Sequence, residues 1–233
     1  MSKSLFVAGT GTDVGKTHVA GLILKQLHEE GLRTAYFKAA MSGNCRDKNG
    51  TLLPGDSLHV KEVSGIPQPL ESMCPYLYET AVSPHLASKM EGDPVVLENV
   101  LQCFDGLCET YDWVVVEGSG GIVCPLRYDH IKIGLEDFIR ARRLNCLVVA
   151  DAGLGTINAV VLTAEYMKAR GISVRGIILN RYEHGNPLHE DNKWMCERMT
   201  GIGVVGTVSD GQTNLDIPPE TLRSLFKKNG EPR

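Results

Sequence analysis

The stretch SLFVAGTGTDVGKTH, residues 4–18, decides the fold. It begins with a short apolar run of strand length and continues into glycine-rich sequence. Beyond it, apolar residues recur at helical spacing as far as Gly31, a residue type that commonly ends helices. The sequence therefore predicts a strand over residues 4–8, a loop over residues 9–17 and a helix directly after the loop.

The loop has the features of a polyphosphate-binding site. Gly9, Gly11 and Gly15 allow the backbone to turn tightly, so that N–H groups point inward beside the positive end of the helix dipole. Lys16 would reach the β- and γ-phosphates, and the Thr17 hydroxyl would contact a magnesium ion. Five residues separate Gly9 from Gly15 instead of the usual four, so a plain glycine-rich turn with an exposed lysine is the alternative.

Five further segments have strand length, and nearly all of them are rich in Val, Ile and Leu without regular polar alternation. They span residues 34–38, 113–117, 146–150, 174–179 and 204–208. Continuous apolar strands are covered on both faces, which is typical of a mostly parallel sheet between two layers of helices. Together with the phosphate loop, this pattern predicts an α/β fold with three layers, of the P-loop NTPase type.

The segments between the strands predict the helical layers. Helical spacing extends over about residues 94–109, 135–143 and 157–170. Residues 41–84 are rich in proline and predict an irregular functional loop with one short helix, whereas residues 227–233 are predicted to fray. The length of 233 residues, with no linker-like stretch, predicts a single domain over residues 1–233.

Composition excludes several classes of function. Lys and Arg number 24 against 28 Asp and Glu, and the net charge of −4 argues against a nucleic-acid partner. The seven cysteines contain no C-x-x-C pair, so reduced thiols and a cytoplasmic location are predicted. No run reaches the roughly 18 apolar residues of a membrane span, so no membrane partner is expected.

Charged residues end two of the predicted strands. Glu117 and Lys38 should emerge at the same edge as Lys16, because parallel strands share a direction and α/β proteins bind ligands at that edge. Glu117 is a candidate magnesium ligand, with an acidic turn residue as the alternative. Lys38 is a candidate anion-binding residue, with a surface lysine as the alternative. Asp56 is a second candidate metal ligand, although N-capping of the following helix accounts for it as well.

Asn180 follows the predicted strand at residues 174–179. Its carboxamide both donates and accepts hydrogen bonds, so it could recognise an adenine edge, and turn formation is an equally good account. The seven histidines have no metal-ligand spacing, and exposed or hydrogen-bonded histidines are the simpler interpretation.

Seven motifs, taken in chain order, resemble the dethiobiotin synthetase family, the ATP-dependent ligases of biotin biosynthesis. They are GTGTDVGKT, FKAAMSG, PGDSL, VSPHLAS, VEGSGG, LGTIN and ILN. The resemblance covers about residues 4–208. A phosphate loop with five intervening residues is this family's own form. Lys38 and Ser42, followed by Ser-Pro-His at residues 83–85, distinguish the family from wider relatives that share the loop.

The resemblance implies a nucleotide site and a metal site. The residues that would hold ATP are Asp13, Val14, Gly15, Lys16, Thr17, His18, Asp56, Glu117, Gly118, Ser119, Gly120, Asn180 and Arg181. Magnesium would be the cofactor, bound by Thr17, Asp56 and Glu117. Asn180 would face the adenine base.

The resemblance also implies a reaction. 7,8-Diaminopelargonic acid, CO2 and ATP would give dethiobiotin, ADP and phosphate, through a carbamate and a carbamic-phosphoric mixed anhydride. Lys38, Lys16 and Thr12 are the implied catalytic residues. The implied substrate contacts are Lys38, Ser42, Thr12, Asn158 and Trp194.

Members of this family are homodimers in which the substrate tail reaches the other subunit, so the resemblance implies that Asn158 serves the site of a partner. Three residues depart from the family pattern. Ala39 replaces a proline after the lysine, and Ser209 replaces a proline that packs near the base. Trp194 replaces a tyrosine at the substrate tail, which keeps an apolar face and loses the hydroxyl.

Two other functions of phosphate-loop proteins are the alternatives. A nucleotide switch of the partition-ATPase type usually has an extra lysine early in the loop, and residues 9–12 contain none. A small-molecule kinase would transfer phosphate to a stable acceptor without any need for CO2. ADP release measured with the diamine, in the presence and absence of CO2, distinguishes the three.

Overall fold

The computed structural model describes residues 2–228 of the chain. The strands in this part are β1 Lys3–Gly9, β2 Thr34–Lys38, β3 Ala40–Met41, β4 Cys45–Arg46, β5 Leu52–Leu53, β6 Tyr76–Leu77, β7 Trp113–Glu117, β8 Pro125–Tyr128, β9 Lys132–Gly134, β10 Asn145–Asp151, β11 Val174–Asn180, β12 Val204–Val208 and β13 Lys227–Lys228. The helices are α1 Lys16–Glu29, α2 Gly55–Ser64, α3 Pro84–Glu91, α4 Leu97–Thr110, α5 Leu135–Arg142, α6 Thr156–Ala169, α7 Pro187–Thr200 and α8 Pro219–Leu225. A single 3-10 turn spans Leu70–Ser72.

A seven-stranded sheet forms the centre of the molecule. Its order is β12-β11-β10-β1-β7-β2, all parallel, and β13 adds an antiparallel pair to the beginning of β1. Three small two-stranded sheets, β3–β6, β4–β5 and β8–β9, lie outside it. The carboxyl ends of β1, β2, β7 and β11 therefore open onto one edge, where their last side chains can meet.

Helices cover both faces of this sheet. Alternate residues of β1 enter different apolar clusters, because side chains along a strand point to opposite faces. Leu5 and Val7 pack with α1 and α8, whereas Phe6 and Ala8 pack with α4, α5 and α6. The predicted three-layer α/β architecture is confirmed.

The six predicted strands are confirmed as β1, β2, β7, β10, β11 and β12. Three of the predicted helices correspond to α4, α5 and α6 with small shifts at their ends. α4 begins at Leu97, later than predicted, because Val96 is still extended and Val95 is buried in the core. The short helix expected within residues 41–84 is α2.

Three helices and four strand pairs, β3–β6, β4–β5, β8–β9 and β1–β13, were absent from the sequence prediction. α3, α7 and α8 each begin at a proline that occupies the first helical turn, where its missing N–H has no intrahelical partner to lose. The prediction that residues 227–233 fray is wrong for Lys227 and Lys228, which hydrogen-bond to β1 as β13. Residues 229–233 lie outside the described residues. Within residues 2–228, none of the helices combines the length and apolarity needed to cross a bilayer.

Candidate active site

The phosphate loop joins the end of β1 to the first turn of α1. Two of its residues have left-handed backbone conformations, Asp13 with φ 59° and Gly15 with φ 91°. A side chain at Gly15 would place its Cβ 2.0 Å from Nδ2 of Asn180, so only glycine fits there. Nδ2 of Asn180 donates to the carbonyl of Val14 at 3.1 Å, and Arg181 donates to the carbonyl of Asp13 at 2.8 Å. The end of β11 thus fixes the shape of the loop.

Lys16 begins α1 and turns back over the loop. Its side chain is buried, and its ammonium group donates to the carbonyl of Gly11 at 2.7 Å. Burial lowers the pKa of Lys16 below its ordinary value, and this effect outweighs the attraction of Glu117. The lysine is therefore positioned beside the loop backbone by a hydrogen bond that an anionic ligand could replace.

Glu117, at the end of β7, is the centre of the polar network. Its carboxylate is 1% exposed and accepts three hydrogen bonds. Lys38 and Thr17 donate to Oε1, at 2.6 and 2.9 Å, and the hydroxyl of Tyr36 donates to Oε2 at 2.6 Å. Burial and the negative charge of Glu117 raise the pKa of Tyr36 well above its ordinary value, so its phenol remains a donor at neutral pH.

Lys38 joins Glu117 to Asp56. Its ammonium group lies 2.6 Å from Oδ2 of Asp56, which comes from the first turn of α2. Burial alone would lower the pKa of Lys38, but the two carboxylates raise it well above its ordinary value. One ammonium group therefore occupies the space between two carboxylates that belong to different elements.

A cavity of about 810 Å³ opens above these groups at the carboxyl edge of the sheet. We call it the phosphate-loop cavity. The predicted site residues that line it are Thr12, Asp13, Gly15, Lys16, Thr17, His18, Lys38, Ser42, Asp56, Glu117, Ser119, Gly120 and Arg181. Residues from five separate stretches of the chain thus meet around one space, which is large enough for a small-molecule ligand.

Comparisons with known proteins agree with this arrangement. A family model described as an AAA domain matches residues 3–213. The ATP-dependent dethiobiotin synthetase BioD of Brachyspira hyodysenteriae is 43% identical over 228 residues, which cover 97% of this chain and 100% of that protein. The chain belongs to the dethiobiotin synthetase family.

Other relatives agree. The protein of the same name from Clostridium perfringens is 42% identical over 208 residues, covering 89% of this chain and 91% of its own length. The protein of this name from Clostridium novyi is 43% identical over 221 residues, which cover 93% of this chain and 92% of that protein. The members of the dethiobiotin synthetase family are thus ATP-dependent ligases of biotin biosynthesis, and ATP is their co-substrate.

Solved structures support the fold alone, because their sequences are distant. The signal recognition particle receptor FtsY from Elizabethkingia anophelis has a TM-score of 0.54 at 16% identity, over 97% of this chain. The cell division protein FtsY from Thermotoga maritima has a TM-score of 0.53 at 18% identity, again over 97% of this chain. This chain spans 66% and 68% of those longer chains.

Five of the site residues predicted from the sequence do not line the phosphate-loop cavity. They are Val14, Gly118, Asn158, Asn180 and Trp194. Val14 and Asn180 hold the loop through their mutual hydrogen bond, and Gly118 lies against the ring of Phe6, where a Cβ would approach to 3.0 Å. Asn158 and Trp194 lie on α6 and α7. The family resemblance assigns Asn158 to the site of a partner subunit, so its role stays a prediction.

Several residues in or beside the cavity were not foreseen from the sequence. Tyr36 lies two residues before Lys38 on β2, and this period places both side chains on one face of the sheet. His59 follows Asp56 by one helical turn on α2 and therefore shares its face. The spacing from Asp56 could have indicated His59, whereas the polar contact of Tyr36 depends on the register of β2 with β7. Cys124 lines the cavity from the loop after β7, where no periodicity points to it.

The side of the cavity formed by the segment after β2 is built from short polar contacts. The hydroxyl of Ser42 donates to the carbonyl of Val82 at 2.5 Å, and that of Ser119 donates to the carbonyl of Ala40 at 3.0 Å. These bonds connect the segment after β2 to the loops before α3 and after β7. Ser42 and Lys38 consequently face one space from the same segment.

Proposed function

We propose that this chain catalyses the ATP-dependent carboxylation and ring closure of 7,8-diaminopelargonic acid to dethiobiotin, with release of ADP and phosphate. The observation that carries the proposal is the convergence of Lys16, Lys38 and Ser42 on one cavity beside Thr17 and Glu117. Two lysines suit a reaction in which the nucleotide, the carboxylated amine and the leaving group are all anions. The dethiobiotin synthetase relatives support the same substrate.

ATP binds with its phosphates in the loop at residues 9–17. The backbone N–H groups of the loop and the amino end of α1 accommodate the negative charge, and Lys16 exchanges the carbonyl of Gly11 for a phosphate oxygen. Arg181 and His18 line the outer part of the cavity, toward the remainder of the nucleotide. Asn180 contributes to adenine binding with the amide atoms that it does not use on Val14.

The residues present fit a magnesium ion. Mg²⁺ prefers hard oxygen ligands and is commonly held by one or two carboxylates together with substrate phosphates. Thr17, Asp56 and Glu117 supply a hydroxyl and two carboxylates around a space that the ammonium group of Lys38 now occupies. Within residues 2–228 no group of three His, Cys, Asp or Glu forms a metal cage, which agrees with an ion that also needs phosphate ligands. When bound, Mg²⁺ would neutralise charge on the β- and γ-phosphates.

The chemistry needs no nucleophilic side chain. One amine of the substrate attacks CO2 and loses a proton to give the carbamate, which Lys38 and Ser42 bind. A carbamate oxygen then attacks the γ-phosphorus, ADP leaves, and the mixed anhydride forms. The second amine attacks the carbonyl carbon and loses a proton, the ureido ring closes, and phosphate leaves. Lys16 and Lys38 stabilise the negative charge throughout, and Thr12 contacts the reacting groups from the loop.

We further propose that the chain acts as a homodimer. Leu154 is 93% exposed at the tip of the loop before α6, and Leu162 and Trp194 are more than half exposed on the neighbouring helices α6 and α7. A surface of this kind is typical of a protein contact. Asn158, in the first turn of α6, would then bind the substrate carboxylate in the partner's site, beside the indole of Trp194. Sedimentation of Leu162→Asp should show monomers, whereas Leu58→Asp, at an exposed leucine of α2, should remain dimeric.

The test of the proposed function is ADP release with the purified protein. ADP should form only when the diamine and CO2 are both present, and dethiobiotin should appear in equal amount. ADP release with the diamine alone would instead indicate a kinase. Release without the diamine would indicate a nucleotide switch. The cytoplasmic location predicted from the cysteines stays a prediction; no disulfide joins any of the seven, all of which lie in the described part of the chain.

A further inference from the structure

A second large cavity lies at the opposite edge of the central sheet. Its volume is about 970 Å³, and it forms where the first residues of β10 and β11 meet the carboxyl ends of α5 and α6. Among the described residues, none lines both this cavity and the phosphate-loop cavity. β1 is seven residues long, so the two cavities lie about 20 Å apart. This second cavity is therefore separate from the proposed active site.

Four basic residues enter this cavity from strands. They are Lys3 of β1, Arg175 of β11, and Lys227 and Lys228 of β13. Lys3 and Lys228 lie directly opposite each other in the antiparallel pair. The pairing brings two basic side chains to the same end of the sheet. We call the cavity that these residues line the basic groove.

Three more basic residues come from helix ends. Arg143 and Lys168 lie at the carboxyl ends of α5 and α6, where the helix dipole favours a positive charge. Arg223 of α8 is already paired with Glu30, to which its Nε donates at 2.9 Å. These positions have a structural reason that does not involve a ligand. Lys3 also has such a reason, because its ammonium group lies 4.2 Å from the centre of the Trp113 ring. Arg175 and Lys227, at the ends of β11 and β13, have no helix dipole beside them to explain their charge.

The balance of charge in the basic groove is unlike that of the whole protein. Seven basic side chains line it, and Glu165 is the only acidic residue of the described chain that does so. The described side chains that line the groove therefore sum to a charge of +6, or +5 when Glu30, the partner of Arg223, is counted with them, within a chain of net charge −4. Within residues 2–228, Arg143, Arg175 and Lys227 have no carboxylate oxygen within 4.0 Å. A concave site with this charge attracts anions.

We propose that the basic groove binds a compact small molecule that carries two or more phosphate groups. The volume falls in the range of roughly 300–1,000 Å³ that small-molecule sites occupy. Guanidinium groups such as those of Arg143 and Arg175 match phosphate oxygens with paired N–H donors. A long nucleic acid is disfavoured, because it would extend beyond the basic groove onto the rest of the protein, whose net charge is negative.

The test uses inorganic tripolyphosphate as the probe. Calorimetric titration of the wild-type protein is carried out with the phosphate loop saturated by a non-hydrolysable ATP analogue and Mg²⁺. The groove variant is the double substitution Arg143→Gln and Arg175→Gln. The matched control, Lys48→Gln with Lys89→Gln, removes the same charge from exposed lysines outside the groove. Thermal unfolding and binding of the ATP analogue verify that both variants are folded.

The expected result is one bound tripolyphosphate per chain in addition to the analogue, with an affinity that falls as salt is added. Binding should weaken about tenfold or more in the groove variant, equivalent to about 1.4 kcal/mol, and should be nearly unchanged in the control. The proposal is overturned if the saturated protein binds no tripolyphosphate, or if the two variants weaken binding equally. Preferential binding of a single-stranded oligonucleotide over tripolyphosphate would also overturn it. If the analogue itself does not bind, the proposed function fails instead.

Discussion

The ammonium nitrogen of Lys38 lies 2.6 Å from Oε1 of Glu117, its register partner on the neighbouring strand. The same nitrogen lies 2.6 Å from Asp56, so one lysine neutralises both carboxylates that we propose as metal ligands. A lysine and a divalent cation cannot both occupy the space between these oxygens. Binding of the cation would therefore release Lys38 to contact the carbamate, which links assembly of the nucleotide site to that of the substrate site.

Replacement of Lys38 by methionine should make the stability of the folded protein more dependent on a divalent cation. The variant leaves Glu117 buried without a positive partner, which is expected to lower the free energy of unfolding by about 3–5 kcal/mol. Mn²⁺ binds the same oxygen ligands as Mg²⁺. It should raise the free energy of unfolding more in the variant than in the wild type. Thermal unfolding with and without Mn²⁺ measures the difference. If Mn²⁺ raised the unfolding temperature equally in the two proteins, Lys38 would not occupy the metal position.

The two lysines should have separable roles. Lys38→Ala should leave ATP binding largely intact and remove roughly 2–4 kcal/mol of transition-state stabilisation, by analogy with the loss of one preorganised electrostatic donor. Lys16→Ala should weaken ATP binding directly, because we propose that this residue binds the triphosphate. Turnover and ATP affinity are measured for both variants. Unchanged turnover in Lys38→Ala would remove this lysine from the chemistry, and unchanged ATP affinity in Lys16→Ala would refute the assignment of the loop.

Tyr36 should determine the affinity for the metal through Glu117. Tyr36→Phe removes only the hydroxyl that donates to Oε2, so the carboxylate loses one of its three hydrogen bonds and its fixed orientation. Tyr78→Phe is the matched control, since Tyr78 is equally buried and donates to the carbonyl of Asp93 at 2.7 Å. Both variants should lose about 1–3 kcal/mol of stability. Only Tyr36→Phe should bind Mn²⁺ several-fold more weakly in the presence of ATP; equal affinities would assign Tyr36 a purely structural role.

The role of Tyr36 shows what the sequence could and could not reveal about the site. Lys16, Lys38 and Glu117 were identifiable because each ends a predicted strand or a recognisable loop, and the parallel sheet brings such ends together. Tyr36 belongs to a continuous apolar run, TAYFK, in which a tyrosine is normally a core residue. Its hydroxyl acquires a polar partner only through the register of β2 with β7.

Gly15→Ala should prevent the phosphate loop from adopting the conformation described here. The substitution combines a left-handed backbone with a Cβ placed 2.0 Å from Asn180. Gly50→Ala is the control, because Gly50 has a similar φ of +83° and no atom within 4 Å of the added Cβ. The control should lose about 1–2 kcal/mol of stability from backbone strain alone and keep its ATP affinity. Gly15→Ala should lose more stability and its ATP binding as well; equal behaviour of the two variants would contradict the described packing against Asn180.

The cysteines should react with thiol reagents according to their burial. Burial raises the pKa of Cys74 to about 12 and that of Cys196 to about 11, so both remain protonated and inert as the pH rises to about 9. Cys45 and Cys103 are exposed and should be labelled first. Cys124 lines the phosphate-loop cavity, so ATP should slow its labelling. Peptide mapping identifies the sites, and rapid labelling of Cys74 in the folded protein would contradict the structure.

α7 illustrates why part of the fold escaped prediction. Its buried positions, His189, Asn192 and Cys196, follow helical spacing, but two of the three are polar. The amide of Asn192 donates to the carbonyls of Ala152 and Gly153 at 2.8 and 3.0 Å, so the helix packs through hydrogen bonds as well as apolar contact. Hydrophobic periodicity cannot detect such a face. The central strands were predictable because most of their buried residues are apolar.

The central claim is that a carbamate oxygen attacks the γ-phosphorus of ATP in the cavity between Lys16 and Lys38. The most direct measurement supplies the diamine, ATP and CO2 labelled with ¹⁸O in unlabelled water, and analyses the phosphate before CO2 exchanges with solvent. The account predicts one ¹⁸O atom in each phosphate, because the oxygen that bridges carbon and phosphorus leaves with phosphorus on ring closure. Phosphate without label, formed together with ADP, would show that water or another acceptor takes the phosphoryl group and would contradict the account.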